Sequence, residues 1–340
     1  EARNRTASGA ADAQSSAVMT LYQIQNNIQQ AGYGFNAIGL YHCKTQWSVA
    51  SGSALAKPVR LAPVSINPST EVAGVPSSLI PAGDAGTDTL LVIFGNGNSQ
   101  PHGNPVLSYT APVYTPQMPS AFTVGDRIIA APAATPDACA TSTLPIDRVT
   151  ASNTLTVTAA TGSLGSALFN LGPGPNGPNA LPTTAFPHNG PSVLAYAVRS
   201  STLTVCDFSA HDCSLQTHTD SPSVWVPIAN NIVSMRASYS KDTSALWNGS
   251  SSVSDQVEPA SASEVARVKG IHLVLASRSD ERDKEIVTPA MPSWSHNNIA
   301  PLVFGPMVST DEPWKHYRYR VFEATMPLRN SIWMGVPAGC

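Results

Sequence analysis

Charge is scarce in this chain. Of 340 residues, 19 are Lys or Arg and 22 are Asp or Glu, giving a formal net charge of -3 with no block of like charge. Such a surface offers no basic stripe to neutralise a phosphate backbone, so nucleic acid is not an expected partner. Long apolar runs are missing as well. The strongest, "LLVIF" at residues 90–94, falls far short of the ~20 residues that cross a bilayer as a helix. Five cysteines are too few for a disulfide scaffold. A structural zinc site asks for two close ligand pairs, and the cysteines supply one.

That close pair, Cys206 and Cys213, brackets "CDFSAHDC", a loop that a disulfide closes readily in an oxidising compartment. Cys43, Cys139 and Cys340 remain. Cys43 with Cys139 is one further pairing, and at least one thiol is left over or paired in a way the sequence hides.

Proline and glycine, in contrast, are plentiful, at 29 and 23 residues. With abundant Ser, Thr and Ala they favour short strands joined by turn-rich loops. Strand-like runs fall at 58–66, 88–95, 122–130, 153–159, 192–199, 201–208, 231–240, 268–277 and 316–326. In the run at 231–240, Ile232, Ser234, Arg236 and Ser238 alternate with Val233, Met235, Ala237 and Tyr239. Period-two patterns of this kind mark mainly antiparallel sheets. "AVRSSTLTV" reads as a hairpin, because two strand runs meet at a serine pair. The stretches 170–191 and 247–264 read as long loops of the kind that serve as binding surfaces.

Near the start, Ala17, Leu21, Ile24, Ile28 and Ala31 advance by four, three, four and three residues. This is the seam of an amphipathic helix with one narrow buried stripe, ringed by uncharged Gln and Asn. Gly32 and Gly34 end it, since glycine tolerates positive φ.

Signals for chemistry are weak. His211, Asp212 and His218 lie close together but supply too few ligands for a metal. "GSLGS" at 162–166 lacks the nucleophile-elbow spacing. "FGNGNSQPHGN" at 94–104 has no Lys-Ser/Thr pair and no following helix, so it is a turn rather than a phosphate cradle. Asp84, Asp88, Asp126 and Asp147 are scattered, and no general acid or base stands out. "NGS" at 248–250 fits a glycosylation acceptor. Trp314, Tyr317, Tyr319 and Phe322 suggest a sugar-stacking strip, but alternation assigns them more readily to a sheet face. No catalytic, cofactor-binding or metal residue is nominated, and no enzymatic activity is expected.

Two stretches resemble a known family. "LYQIQNNIQQAGYGF" (21–35), with Gly32, Tyr33 and Gly34, is similar to the helix end of PilW, a minor pilin of type IV pili. "YRYRVFEATMPLRN" (317–330), with Arg318, Arg320, Pro327, Leu328, Arg329 and Asn330, resembles that family's terminal segment. "AGTDTLLVIFG" (85–95), "FTVGDRIIA" with "DACATSTLPIDRVT", and "NIVSMRASYSKDT" (231–243) are weaker matches in the same order. The loops at 170–191 and 247–264 and the tail 331–340 depart from it.

The resemblance implies an α+β, pilin-like fold: an N-terminal amphipathic helix stem packed on antiparallel β-sheets with long loops. Residues 1–33 would be the remaining part of the pilin helix and 34–340 a globular β-rich head, with a membrane helix expected upstream of Glu1. It also implies a minor pilin that joins other minor pilins in a complex initiating pilus assembly at the tip. The expected partners are those minor pilins, the major pilin, a large tip adhesin and the inner membrane. The chain would face the periplasm before assembly and reach the extracellular pilus afterwards. The alternatives are a J-type pseudopilin of type II secretion and a secreted β-sheet sugar-binding module or enzyme.

Overall fold

The computed structural model describes residues 2–47, 57–72, 75–97, 103–132, 135–139, 142–163, 165–173, 191–214, 224–245, 251–290, 293–294, 302–303, 313–332 and 340, with the side chains of 2–14, 72, 293, 302, 303 and 313 excepted. The first described element is a helix, Ala2–Gln30, and strands predominate among the regular elements described after it.

The central layer is a five-stranded antiparallel sheet. Its strands run in the order Val226–Asn230, Thr202–Asp207, Ser192–Arg199, Leu90–Phe94 and Val64–Ile66. Alternation along these strands divides the interior. Leu91, Ile93, Val193, Ala195 and Cys206 face one core, while Leu90, Val92, Leu194, Tyr196 and Val205 face a second. Because both faces are covered, the strand Leu90–Phe94 is a continuous apolar run instead of an alternating one.

A four-stranded antiparallel sheet closes the second core. It is ordered Ser252–Asp255, Ile232–Asp242, Val268–Arg278 and Tyr319–Pro327, and Met235, Ala237, Tyr239, Leu273 and Leu275 point inward from it. A register shift between Ile232 and Ser234 changes the phase of the long strand. Ile232 therefore joins this core, and Val233 joins a smaller cluster on the far face with Val274, Trp294 and Trp314. The far face is thus partly covered as well, and Ser234 and Ser238 are buried rather than wet.

The third body is a closed barrel. Its six strands are Asp147–Ser152, Val157–Ala159, Val113–Pro116, Asn104–Thr110, Ala167–Pro173 and Asp126–Ala131. Ile128, Ala130 and Leu168 fill its inside with Tyr114, Val149 and Val157, and Ile129 and Phe169 on the outer surface pack into the first core.

The expected α+β, pilin-like class is therefore corrected. Among the described residues strands far outnumber helical positions, so the protein is mostly β, and a closed barrel stands where a plain sheet head was expected. The physical reason lies in four barrel strands that strand patterning passes over, the polar Asp147–Ser152 among them. Asn104–Thr110 and Val113–Pro116 carry Pro105 and Pro116 and join at the cis Ala111–Pro112 bond. Proline within a run argues against a paired strand. Ala167–Pro173 merges into the loop expected from 170.

Two further expectations also change. Residues 252–255 and 262–267, assigned to a loop, form a strand and a short helix. That helix is capped by Ser261, whose side chain accepts from the Glu264 N–H, while the Glu264 carboxylate reaches back to the Ala260 N–H. Positions 174–190, 247–250 and 333–339 lie outside the described residues, as do His218 and the acceptor sequence at 248–250.

Candidate partner interface

Ala17, Ile24, Ile28 and Ala31 are fully buried, and Leu21 is half-buried against the same core. These side chains share one core with Leu90, Val92, Ile271, Leu273 and Met326 from both sheets. Thr20, absent from the expected seam, is also buried. Its hydroxyl donates to the Ser16 carbonyl at 2.8 Å, which satisfies the polar group locally and lets a threonine stand in an apolar stripe. Asn27 ties the helix to the central sheet by donating to the Tyr196 hydroxyl at 2.7 Å. Burial holds that phenol above its ordinary pKa, a shift the bond from Asn27 opposes.

The helix exit is where the two resembling stretches meet. Gly32 and Gly34 have φ of +84° and +87°, and a Cβ on Gly32 would press on Pro63 at 3.2 Å. The Gly32 N–H donates to the Ile93 carbonyl and the Gly95 N–H to that of Tyr33, locking the turn to the end of the central strand. The Tyr33 hydroxyl reaches the Gly97 carbonyl at 3.0 Å.

From the other end of the chain, the side-chain amide of Asn330 donates to the carbonyls of Gln30 and Ala31 at 3.1 and 3.0 Å. Asn36 donates to the Asn330 carbonyl and accepts from the Tyr41 hydroxyl. Leu328 is buried in the second core and its N–H donates to the Lys269 carbonyl. Pro327 and Arg329 are exposed. Nothing in the spacing of either stretch signals this junction; only the fold brings it together.

On its outward side the helix carries apolar groups in the open. Val18, Met19 and Tyr22 are 49%, 72% and 65% exposed. Tyr22 follows Met19 and Val18 by three and four positions, which puts it beside both on one side of the helix. With the seam buried on one side and these residues bare on the other, the helix is apolar on two faces. That pattern suits an element with a second neighbour.

The acids expected as scattered groups are each engaged by the fold. Asp84 accepts from the N–H groups of Ser200 and Ser201 at 2.8 Å each. Both serines have positive φ, so the carboxylate steadies a hairpin turn made without glycine. Asp88 accepts from Asn67, Gln256 and the Ala237 N–H, each at 2.9 Å, and pairs with Arg236 at 3.4 Å. Asp126 accepts from Thr123 and Asn170, and Asp147 from Thr161 and Gly162. Carboxylates so committed to main-chain and side-chain donors have little capacity left for acid–base work.

The other sequence signals fall as follows. His211 is exposed, and among the described residues no three His, Cys, Asp or Glu side chains converge as a metal set. Trp314 is buried and Tyr317 lies beneath the Arg278 guanidinium, so these rings do not form an open strip. Two cysteine pairs are bridged: Cys206–Cys213, with Cα atoms 6.1 Å apart, and Cys43–Cys139, at 5.4 Å. The second bridge lies beside the parallel pairing of Lys44–Gln46 with Thr143–Pro145. Cys340 is exposed and unbridged, with its sulfur against the Ser263 hydroxyl.

Among the described residues no helix is long and apolar enough to cross a membrane. No family model, no curated protein and no solved structure matches the chain.

Proposed function

We propose that this chain is a minor pilin, a non-catalytic structural subunit that joins other minor pilins in the complex initiating type IV pilus assembly. The observation that carries the reading is the bare apolar face of Val18, Met19 and Tyr22 on a helix whose opposite seam is already buried. A helix meant only to cover its own sheets has no use for that second face. A helix that lies beside those of neighbouring subunits does. The tie between the two resembling stretches, Asn330 on Gln30 and Ala31, adds support, because their shared position at the helix exit gives both a common structural purpose.

On this reading the partners are other minor pilins, the major pilin and a large tip adhesin. The subunit stands at the inner membrane facing the periplasm before assembly and at the pilus tip afterwards.

The test is co-expression with the other minor pilins of the same assembly system, followed by affinity isolation. The wild-type chain is expected to carry them along. Met19→Glu combined with Tyr22→Glu is expected to lose them while melting at the same temperature, since both positions are exposed. If the remaining minor pilins co-isolate with one another and never with this chain, the reading fails.

A further inference from the structure

Two barrel strands begin with Asp-Arg, Asp126–Ala131 and Asp147–Ser152, and they are neighbours. Their ladder sets Arg148 directly opposite Arg127. Directly opposed residues share a face, with Cβ atoms on the order of 5 Å apart. That face is the outer one. Ile128 and Val149, the next residue along each strand, turn into the barrel, while Ile129 and Ile146, two positions from the arginines, enter the first core. The pair therefore stands at the rim of that core, and both side chains are half-buried.

The row continues on both sides of the pair. Gly172 stands opposite Arg127 from the third strand, and the Ala160 N–H donates to the Arg148 carbonyl. Neither flank thus carries a side chain longer than a methyl group, which leaves the space beside the guanidinium groups open.

Like charges set side by side repel. Burial first, and the charge of Arg148 second, hold Arg127 below the ordinary arginine pKa, with Asp147 opposing. The oxygens of Asp147 are already taken by the N–H groups of Arg148, Thr161 and Gly162 and by the Thr161 hydroxyl. Asp126 is likewise turned to Thr123 and Asn170. Elsewhere arginines are engaged: Arg60 pairs with Glu71, Arg236 with Asp88, and the exposed Arg318 with Asp283. Among the described residues neither the Arg127 nor the Arg148 guanidinium has a hydrogen bond or an ion pair, and the Arg148 Nε is buried. The sequence that follows has no acid to offer, since residues 148–206 contain neither Asp nor Glu.

A carboxylate is satisfied by one guanidinium fork and leaves the second open. A phosphate carries enough acceptor oxygens for two forks, and its second charge relieves the repulsion between them.

We propose that Arg127 and Arg148 together bind a phosphate group, either as free phosphate or as a monoester at the end of a larger molecule. The site lies on the barrel, apart from the apolar face of the first helix, and stands or falls separately from the pilin reading.

The test is calorimetric titration of the whole chain with inorganic phosphate at about pH 7.5 and constant ionic strength, where phosphate is mainly the dianion. Saturable binding is expected in the wild type. Arg127→Gln and Arg148→Gln are each expected to weaken it at least about tenfold, the loss that one charge-assisted hydrogen bond carries. Arg320→Gln, on the outermost strand of the four-stranded sheet, is expected to leave it unchanged. Phosphate is also expected to raise the melting temperature of the wild type and not that of Arg127→Gln. If Arg148→Gln does not fold, Arg127→Gln decides. Glycerol 3-phosphate separates the sources: binding at least as tight as that of inorganic phosphate assigns a monoester, and binding of inorganic phosphate alone assigns the free ion. No saturable heat, equal binding by Arg127→Gln, or equal affinity for acetate overturns the proposal.

Discussion

The side-chain amide of Asn330 donates to the carbonyls of both Gln30 and Ala31, so a residue about three hundred positions downstream satisfies the end of the first helix. The last carbonyls of a helix have no partner within it, and a nearby glycine turn satisfies only some of them. Here the chain's closing segment supplies the missing donors and is held there by Leu328 in the core and by Lys269, whose ammonium donates to the Ser331 carbonyl.

Replacing Asn330 with Ala removes both bonds and leaves the partly buried Ala31 carbonyl and the exposed Gln30 carbonyl open. The expected loss is about 1–3 kcal/mol in urea unfolding. Asn330→Asp keeps the shape but has no donor, so it is expected to lose at least as much. A variant with Asp that keeps wild-type stability would show that packing, and not donation, holds the junction.

The two disulfides differ chiefly in the length of chain they close, 96 residues for Cys43–Cys139 and 7 for Cys206–Cys213. Loop-closure entropy grows with the logarithm of that length. Removing the longer bridge by Cys43→Ser with Cys139→Ser is therefore expected to cost about 2 kcal/mol more than removing the shorter by Cys206→Ser with Cys213→Ser. Denaturant midpoints of the two double variants, compared with the oxidised parent, check the order.

His42 accepts at Nε2 from the Arg60 guanidinium, an arrangement open only to the neutral ring. Burial first, and the charge of Arg60 second, hold its pKa below the usual histidine value, opposed by Asp137 and Glu264. A folded-state pKa below the unfolded one means that the unfolded chain takes up the proton more readily. The stabilisation is then complete above the ordinary histidine value near 6.5 and is lost as pH falls through the lower, folded value. Stability is expected to decline from neutral towards acid pH. In His42→Asn, which accepts the positive φ at this position, that decline is expected to be shallower. Urea midpoints measured across the range for both proteins test it.

Local pattern was enough to expose the elements whose signals are local. The four-three spacing of Ala17, Leu21, Ile24 and Ile28 is visible in a dozen residues, and those side chains lie in one core. Strand-like runs marked most strands of the two open sheets, though not Val226–Asn230 or Ser252–Asp255, and a serine pair marked the hairpin whose turn Asp84 steadies. Cys206 and Cys213 are seven residues apart, and their pairing needed no fold to suggest it.

What depends on distant partners stayed hidden. Proline-bearing strands at 104–116 read as poor strands, and only their pairing with Val157–Ala159 and Ala167–Pro173 turns them into a barrel. A mostly β chain was therefore taken for an α+β one. Residues 85–95 carry an apolar run that does not announce two cores, one on each side.

By itself, then, the chain's order of residues determined where the first helix lies, which of its side chains are apolar and where short strands run, because those properties reside in neighbours a few positions apart. Tertiary structure alone decided that six strands close on themselves, that Asn330 ends the helix begun three hundred residues earlier, and that Cys43 reaches Cys139. Each of these is a contact between segments far apart in the chain, set by how sheets share their faces and edges, and no local period records it.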